Sequence, residues 1–354
     1  MEMSRTAVLS TRYTELLGID HPVVQDGMGP FRTTRLAAAV AAAGGLGTLS
    51  SPTASGPTDG ARELRAAIDE CAGLTDRPFA VNIPVDDRGH DPAQSFTRIF
   101  LEVVFQARAA DSAVASQLRA VTTSAGDPGA YVAAIKDAGL VHQHKVGSTH
   151  QARRAEARGV DVIIASGFEM GGHTHTRPVH TVVLGPNVTE AVDVPVLLSG
   201  GFRDGRGLAA ALCFGAEGVA MGTRFIASDA NTEWHPNYAQ ALLDAQEGDD
   251  ITYPGFFGPV RGLRNPGSDL LESVIAEGLD GESLHEWKLA AMRSAQADGD
   301  TVGGLVLAGQ VAGALTEIVA VADFVPQMAR DAVAILDDLA RRLPLTHAAP
   351  GMRA

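Results

Sequence analysis

Val194-Pro-Val-Leu-Leu-Ser-Gly-Gly201 and, one unit later, Glu217-Gly-Val-Ala-Met-Gly-Thr-Arg224 decide the fold. A short apolar run bounded by turn residues reads as a buried parallel strand. Glycine directly after it lets backbone N–H groups approach an anion with no Cβ in the way. Asp204 is placed to N-cap the helix that begins Gly205-Arg-Gly-Leu-Ala-Ala-Ala-Leu-Cys213, whose positive dipole end adds to the same pocket. Two consecutive units of this kind form a phosphate cup, in the position of strands seven and eight of a (β/α)8 barrel.

Working outward, short apolar runs alternate with longer amphipathic stretches from Pro22 to Phe225, the rhythm of repeated βα units. His21–Gln25, Leu46–Ser50, Phe79–Ile83, Arg119–Thr123, Leu140–Lys145 and Val160–Ala165 supply the first six strands. Helices are expected over Arg35–Ala43, closed by Gly44-Gly45, over Thr58–Ala72, around 94–109, and from Pro128 onward. The α/β class is therefore predicted, as a (β/α)8 TIM barrel over residues 1–230. An open doubly wound sheet is the competing fold, but its G-x-G-x-x-G fingerprint is missing; Gln25-Asp-Gly-Met-Gly29 is the nearest approach. After Phe225 the alternation stops. Residues 231–302 carry polar turns and short helical pieces, predicting an inserted lid or helical subdomain. Residues 303–343 read as C-terminal helices that close the barrel, with Gly309-Gln310 and Gly313 as close-packing points and Pro326 as an interruption.

The chain has 354 residues, 45% of them hydrophobic, enough for one large core. A formal charge of −14 argues against a nucleic-acid partner, which would want a basic surface. With 5% aromatic residues a base-stacking platform is not expected either. Cys71 and Cys213 lack metal or CxxC spacing and are expected as buried, reduced thiols. No run has the ~18 apolar residues of a membrane helix, and Met1-Glu-Met-Ser-Arg5 lacks a signal-peptide layout, so a cytoplasmic protein is expected.

Active sites of such barrels gather where strands end. The polar residues there are Gln25, Gly27 and Met28 after strand one, Asn82 in strand three, Lys145 ending strand five, and Ser166, Glu169 and Gly171-Gly172-His173 after strand six. Ser199, Gly200, Gly201, Met221, Gly222 and Thr223 complete the ring. Flavin mononucleotide, FMN, would use this set. Its phosphate would take the N–H groups of Gly200, Gly201, Gly222 and Thr223 with the Thr223 hydroxyl, and its ring needs amide and cationic groups at the polar edge, here Asn82 and Lys145. Lys145 can otherwise be a solvated ion-pair lysine, and Asn82 a turn residue. His173 is the acid/base candidate, an imidazole beside flexible glycines, against the alternative of a loop histidine bonded to backbone. Glu169 either orients His173 or caps the loop. His173, His175 and His180 do not read as a metal cluster, because no Asp, Glu or Cys falls among them. Ser166 and Ser199 lack the Gly-x-Ser-x-Gly elbow of a serine hydrolase. Arg177 and Arg224 either attract an anionic substrate or form structural ion pairs.

Gly167-Phe-Glu-Met-Gly-Gly-His173, the two strand–glycine units and Ala220-Met-Gly-Thr-Arg-Phe225, with His21-Pro-Val-Val-Gln-Asp-Gly-Met28, Ala43-Gly-Gly-Leu-Gly47 and Pro78-Phe-Ala-Val-Asn82, resemble the nitronate monooxygenase family. The resemblance spans most of residues 12–230 and continues in Gly299-Asp-Thr and Ala308-Gly-Gln310. It implies a TIM barrel binding FMN non-covalently, with His173 beside the flavin. It also implies oxidation of alkyl nitronates or nitroalkanes with O2, electrons passing from a carbanion-like substrate to the flavin. The same family includes NADH:quinone reductases, enoyl-thioester reductases and reductases of coenzyme A thioesters, so an NAD(P)H-dependent reductase is the alternative. Two positions depart from the family pattern. Thr174-His175-Thr176 stands where glycine usually follows the histidine, and Asp26 stands where a small residue usually precedes Gly-Met. The partner is expected to be a small molecule, with O2 or NAD(P)H as co-substrate, and the apolar C-terminal helices offer a surface for a homodimer.

Overall fold

The computed structural model describes residues 9–86, 95–255, 258–278 and 281–343. The N-terminal run Met1–Arg5 and residue 94, the expected start of the fourth helix, lie outside the described residues. Strands β1 (Val23–Gln25), β2 (Gly47–Ser50), β3 (Phe79–Val85), β4 (Leu118–Ala125), β5 (Val141–Val146) and β6 (Val162–Ser166) run parallel. A two-residue strand β7 (Gly172–His173) lies outside this sheet, and β8 (Val196–Ser199) and β9 (Gly218–Met221) complete it. The order is β1-β9-β8-β6-β5-β4-β3-β2. A parallel bridge between Val24 and Leu46 closes the ring: Gln25 N–H donates to Leu46 O at 2.9 Å and Leu46 N–H to Val23 O at 3.0 Å. The fold is the TIM barrel.

Both faces of these strands are covered, as parallel sheets require. Val24, Leu46, Ala80, Ala120, Val162, Ile164, Leu197 and Ala220 pack inside the barrel. Three of these are alanines, and the space they leave is filled by Tyr13 and Leu17 of a helix, Arg12–Leu17, that the sequence reading passed over. Its signals were present: Thr11 caps it in a reciprocal bond with Thr14, and Gly18 ends it at φ 72°. Tyr13 Oη donates to Gln143 Oε1 at 2.9 Å in the barrel interior.

The helix Val321–Arg342 packs on the helices Gly205–Cys213 and Thr34–Ala42, with Val325, Met328 and Ala332 in the outer core. Two expectations are corrected here. Residues 303–320 hold only the 3-10 turn Gln310–Ala314, and Pro326 sits inside the last helix without breaking it. Burial of Val325, Met328, Ala329 and Ala332 outweighs the one backbone bond that proline forfeits. Cys71 is buried, its thiol pushed up to about 12 by burial, but Cys213 is exposed.

Residues 231–302 contain a hairpin that the sequence reading did not anticipate. Strand β10 (Asp250–Pro254) pairs antiparallel with β11 (Pro259–Leu263), and β11 pairs with β7, Val260 opposite His173. Arg261 holds it in place. Its guanidinium is 2% exposed, is ion-paired with Asp250, donates to Phe168 O at 3.0 Å and lies 4.3 Å from the Phe168 ring centroid. Among the described residues no helix is long and apolar enough to cross a membrane.

On the outer face of β5, His142 Nε2 and His144 Nδ1 each lie 2.8 Å from the Thr123 hydroxyl. Burial pushes His142 down to about 3 and His144 to about 4 from the ordinary 6.5. The unfolded chain therefore binds more protons below pH 6.5, and the stability these groups allow is full above that value and falls as pH drops toward 4 and 3. The urea midpoint should fall over that range, and less steeply in His142→Gln; equal slopes would refute the linkage. Tyr13→Phe leaves Gln143 Oε1 without its donor and should cost about 1–3 kcal/mol in urea unfolding.

Candidate functional site

A cavity of 980 Å³ opens over the C-terminal ends of the barrel strands. Gly27, Met28, Asn82, Lys145, Ser166, Glu169, Gly171, Gly172, His173, Ser199, Gly200, Gly201, Met221, Gly222 and Thr223 all line it, so the structure brings together fifteen of the sixteen residues named at the strand ends. Gln25 is the exception. It is fully buried beside the barrel seam, its Nε2 donating to Thr48 O at 3.2 Å and its Oε1 accepting Thr48 N–H at 3.0 Å. Its amide joins β1 to β2 and has no cavity surface.

The glycines of the cup have the expected backbone. Gly200 (φ 106°) and Gly201 (φ 84°) turn the chain after β8 in a region that other residues rarely adopt. Asp204 Oδ1 accepts Arg206 N–H at 3.0 Å, capping the helix that follows. Gly222 precedes the short helix Thr223–Ile226. The Thr223 hydroxyl accepts Gly309 N–H at 2.9 Å, which leaves its own proton for an anion. Arg224 takes no part. It is buried, donating to Ala227 O and Glu317 O at 2.6 Å each.

The polar edge is built by close approach. A Cβ on Gly27 would fall 2.4 Å from Asn82 Cβ, so glycine is what lets Asn82 reach the loop after β1. Asn82 Oδ1, Ser51 Oγ, Ser166 Oγ and His175 Nε2 are buried in the protein without a hydrogen-bond partner, and all four residues line the cavity. Each such atom costs about 1–3 kcal/mol when left unpaired, which is expected where a polar ligand supplies the missing partner. Donors, glycine cradle and amide edge together fit a phosphorylated flavin.

Lys145 is neither solvated nor alone. Its Nζ lies 2.5 Å from Asp26 Oδ2, with the two side chains 13% and 10% exposed. His173 is exposed at the mouth, held on β7 against the hairpin β10–β11. His175 turns inward. Its ring lies against Gly147, where a Cβ would fall 2.0 Å from it, and burial first and Lys145 second pull its pKa down. His180 lies 4.7 Å from the Phe168 ring and 3.2 Å from Glu169 Oε1. Glu169 also accepts the Thr181 hydroxyl at 2.6 Å and Thr181 N–H at 3.1 Å, so it caps the helix Thr181–Thr189 and does not serve His173. The three histidines face three different surroundings.

Sequence reasoning missed Asp26, Ser51 and His144 as cavity residues, and all of the wall that residues 253–307 supply. Tyr253, Val260, Leu289, Met292, Leu305 and Leu307 add apolar side chains to the cavity lining, which also includes Lys288, whose Nζ donates to Pro254 O at 2.6 Å.

Comparisons with known proteins identify the family. A family model described as nitronate monooxygenase matches residues 10–331. A Mycobacterium tuberculosis protein named (3aS,4S,5R,7aS)-5-hydroxy-7a-methyl-1-oxo-octahydro-1H-indene-4-carboxyl-CoA dehydrogenase is 36% identical over 92% of this chain and 96% of its own. A probable nitronate monooxygenase of Staphylococcus saprophyticus is 32% identical over 73% and 79% of the two chains. The solved structure of FabK from Thermotoga maritima is 34% identical, with a TM-score of 0.82 over 94% and 99%. The nitroalkane oxidase of Streptomyces ansochromogenes is 26% identical, with a TM-score of 0.77 over 93% and 100%. With the family match running from the first barrel helix into the last one, this chain belongs to the nitronate monooxygenase family and is a flavin-dependent oxidoreductase.

Proposed function

We propose that the protein binds FMN at the strand ends and transfers hydride between it and an acyl thioester of coenzyme A, with NAD(P)H as the other co-substrate. The observation that carries the substrate class is the set of apolar side chains that residues 253–307 add to the cavity lining. At 980 Å³ the whole space is at the upper end of ligand pockets, roughly 300–1,000 Å³. A small alkyl nitronate would leave Tyr253, Val260, Leu289, Met292, Leu305 and Leu307 without use. A ring system or acyl chain would cover them, and Lys288 in the same lining suits an anionic carrier. The coenzyme A thioester named for the 36% identical relative supports the same class. On this reading residues 1–230 are the FMN-binding barrel, 231–302 the lid over the acyl group, and 303–343 the segment that closes the barrel.

The N–H groups of Gly200, Gly201, Gly222 and Thr223, with the Thr223 hydroxyl, would hold the phosphate. Gly27, Asn82, Lys145, Ser166 and Ser199 would meet the ring's polar edge, and Met28, Gly171, Gly172 and Met221 its flanks. Bound there, FMN supplies a reversible two-electron acceptor. His173 acts on the substrate side, holding the acyl group at the mouth and exchanging a proton with the carbon next to its carbonyl through a ring nitrogen. The lid excludes water from that carbon.

The FMN-loaded protein, mixed anaerobically with NADH and then with crotonyl-CoA, should lose its flavin bands and recover them. Bands bleached by an alkyl nitronate alone, with no response to either reagent, would return the reading to nitronate oxidation with O2. In His173→Ala the flavin should stay bound while turnover drops about 10²–10⁴-fold; undiminished turnover would remove the proton-transfer role.

A further inference from the structure

Asp26 lines the cavity where the loop after β1 crosses the strand ends. It follows β1 directly, at the position where the family pattern has a small residue, and its carboxylate is held from two sides. Oδ2 lies 2.5 Å from Lys145 Nζ, and Oδ1 accepts Gly27 N–H at 2.9 Å. Both side chains line the cavity and are close to nine-tenths buried. Strand parity explains the meeting. Val24 points into the barrel, so Asp26 does too, and on β5 the inward Gln143 that binds Tyr13 is followed two residues later by Lys145.

Two titratable groups that face the pair are neutral. Tyr13 approaches from the barrel floor, and burial first and the Asp26 charge second keep its hydroxyl protonated. His175 approaches from the loop after β7, and burial and Lys145 hold it unprotonated at working pH. The pair itself therefore brings one positive and one negative charge into contact on this wall.

We propose that Asp26 cancels the Lys145 charge at the polar edge of the flavin and so sets the cofactor's reduction potential below the value a lone lysine would give. Reduction places negative charge on the ring, which a nearby cation favours and a nearby anion opposes. A carboxylate in contact with the cation leaves only a dipole. The lowered potential makes the reduced cofactor a stronger hydride donor, the property required to reduce an enoyl thioester. The inference rests on the FMN assignment above.

The test is the midpoint potential of the full-length FMN-loaded protein, from anaerobic reduction against reference dyes followed by absorbance. Asp26→Asn keeps the shape and the Gly27 contact and removes the charge. It should favour the reduced form at least tenfold, a positive shift of 29.6 mV for a two-electron couple. Asp26→Glu should stay near the wild-type value, since it keeps the charge. Lys145→Met reads the pair from the other side and should shift the potential negatively. A yellow Asp26→Asn protein with unshifted or lowered potential overturns the proposal, as does a Lys145→Met protein with no negative shift. A wild-type protein that takes up no FMN overturns the cofactor assignment instead, and the two failures are distinguishable by colour.

Discussion

The seam between β1 and β2 is the constraint on which the molecule depends. Six strand pairs follow the chain's βα rhythm and β1 returns to the last strand, β9, but a ring of parallel strands has no free edges only if β1 also meets β2. Here the joining strand β1 is three residues long, and its contact with Leu46 rests on two backbone bonds and one isolated bridge. The Gln25 amide adds a two-way bond to Thr48. Because β1 ends at the seam, its next residues, Asp26 to Met28, turn over the barrel mouth and become cavity wall. The element that closes the barrel therefore also positions one side of the site.

The hairpin β10–β11 depends on a different interaction. Strand β7 has two residues and could not persist alone; it exists because β11 supplies its partner. Arg261 joins the hairpin to the loop after β6 through Asp250, the Phe168 carbonyl and the Phe168 ring. Removing one partner of so buried a pair typically costs about 3–5 kcal/mol, far more than a surface ion pair. His173 lies on β7, so its position at the mouth is inherited from a salt bridge in the hairpin.

Most of the barrel could be read from the sequence because its signals are local. Each strand is an apolar run ended by turn residues, and each cup glycine stands directly after one. What escaped was non-local or depended on parity. The hairpin β10–β11 contains prolines at its ends and little alternation, and pairing with β7 is what makes it a sheet. Gln25 and Asp26 were exchanged in role for a simpler reason. Side chains alternate along a strand, and with Val24 inward the next residue faces the neighbouring layer while the one after faces the cavity. Applied to Leu140–Lys145, the same count separates His142 and His144 from Gln143 and Lys145. The family pattern marked Asp26 as unusual without indicating that it meets Lys145, because that contact spans the barrel.

Among the described residues, Gly200, Gly201, Gly222 and Thr223 draw no cation from the adjacent Arg224. Arg224 is adjacent to Thr223 in sequence, yet its guanidinium is spent on the carbonyls of Ala227 and Glu317, fixing the segment that leads to the last helix. Positive potential at the glycines comes instead from backbone N–H groups and the helix start behind Asp204. In a chain of net charge −14 this arrangement has a consequence. Long-range attraction for an anion is weak, so retention of a phosphate depends on several short donors being aligned at once. Glycine at positive φ provides that alignment, and a side chain at Gly200 would crowd the Gly167 carbonyl and Met170 N–H at 3.2 Å. On the proposed assignment, selectivity for a phosphorylated cofactor over a free anion would lie in backbone geometry, with the Asp26–Lys145 pair supplying both a cation and an anion to the opposite wall.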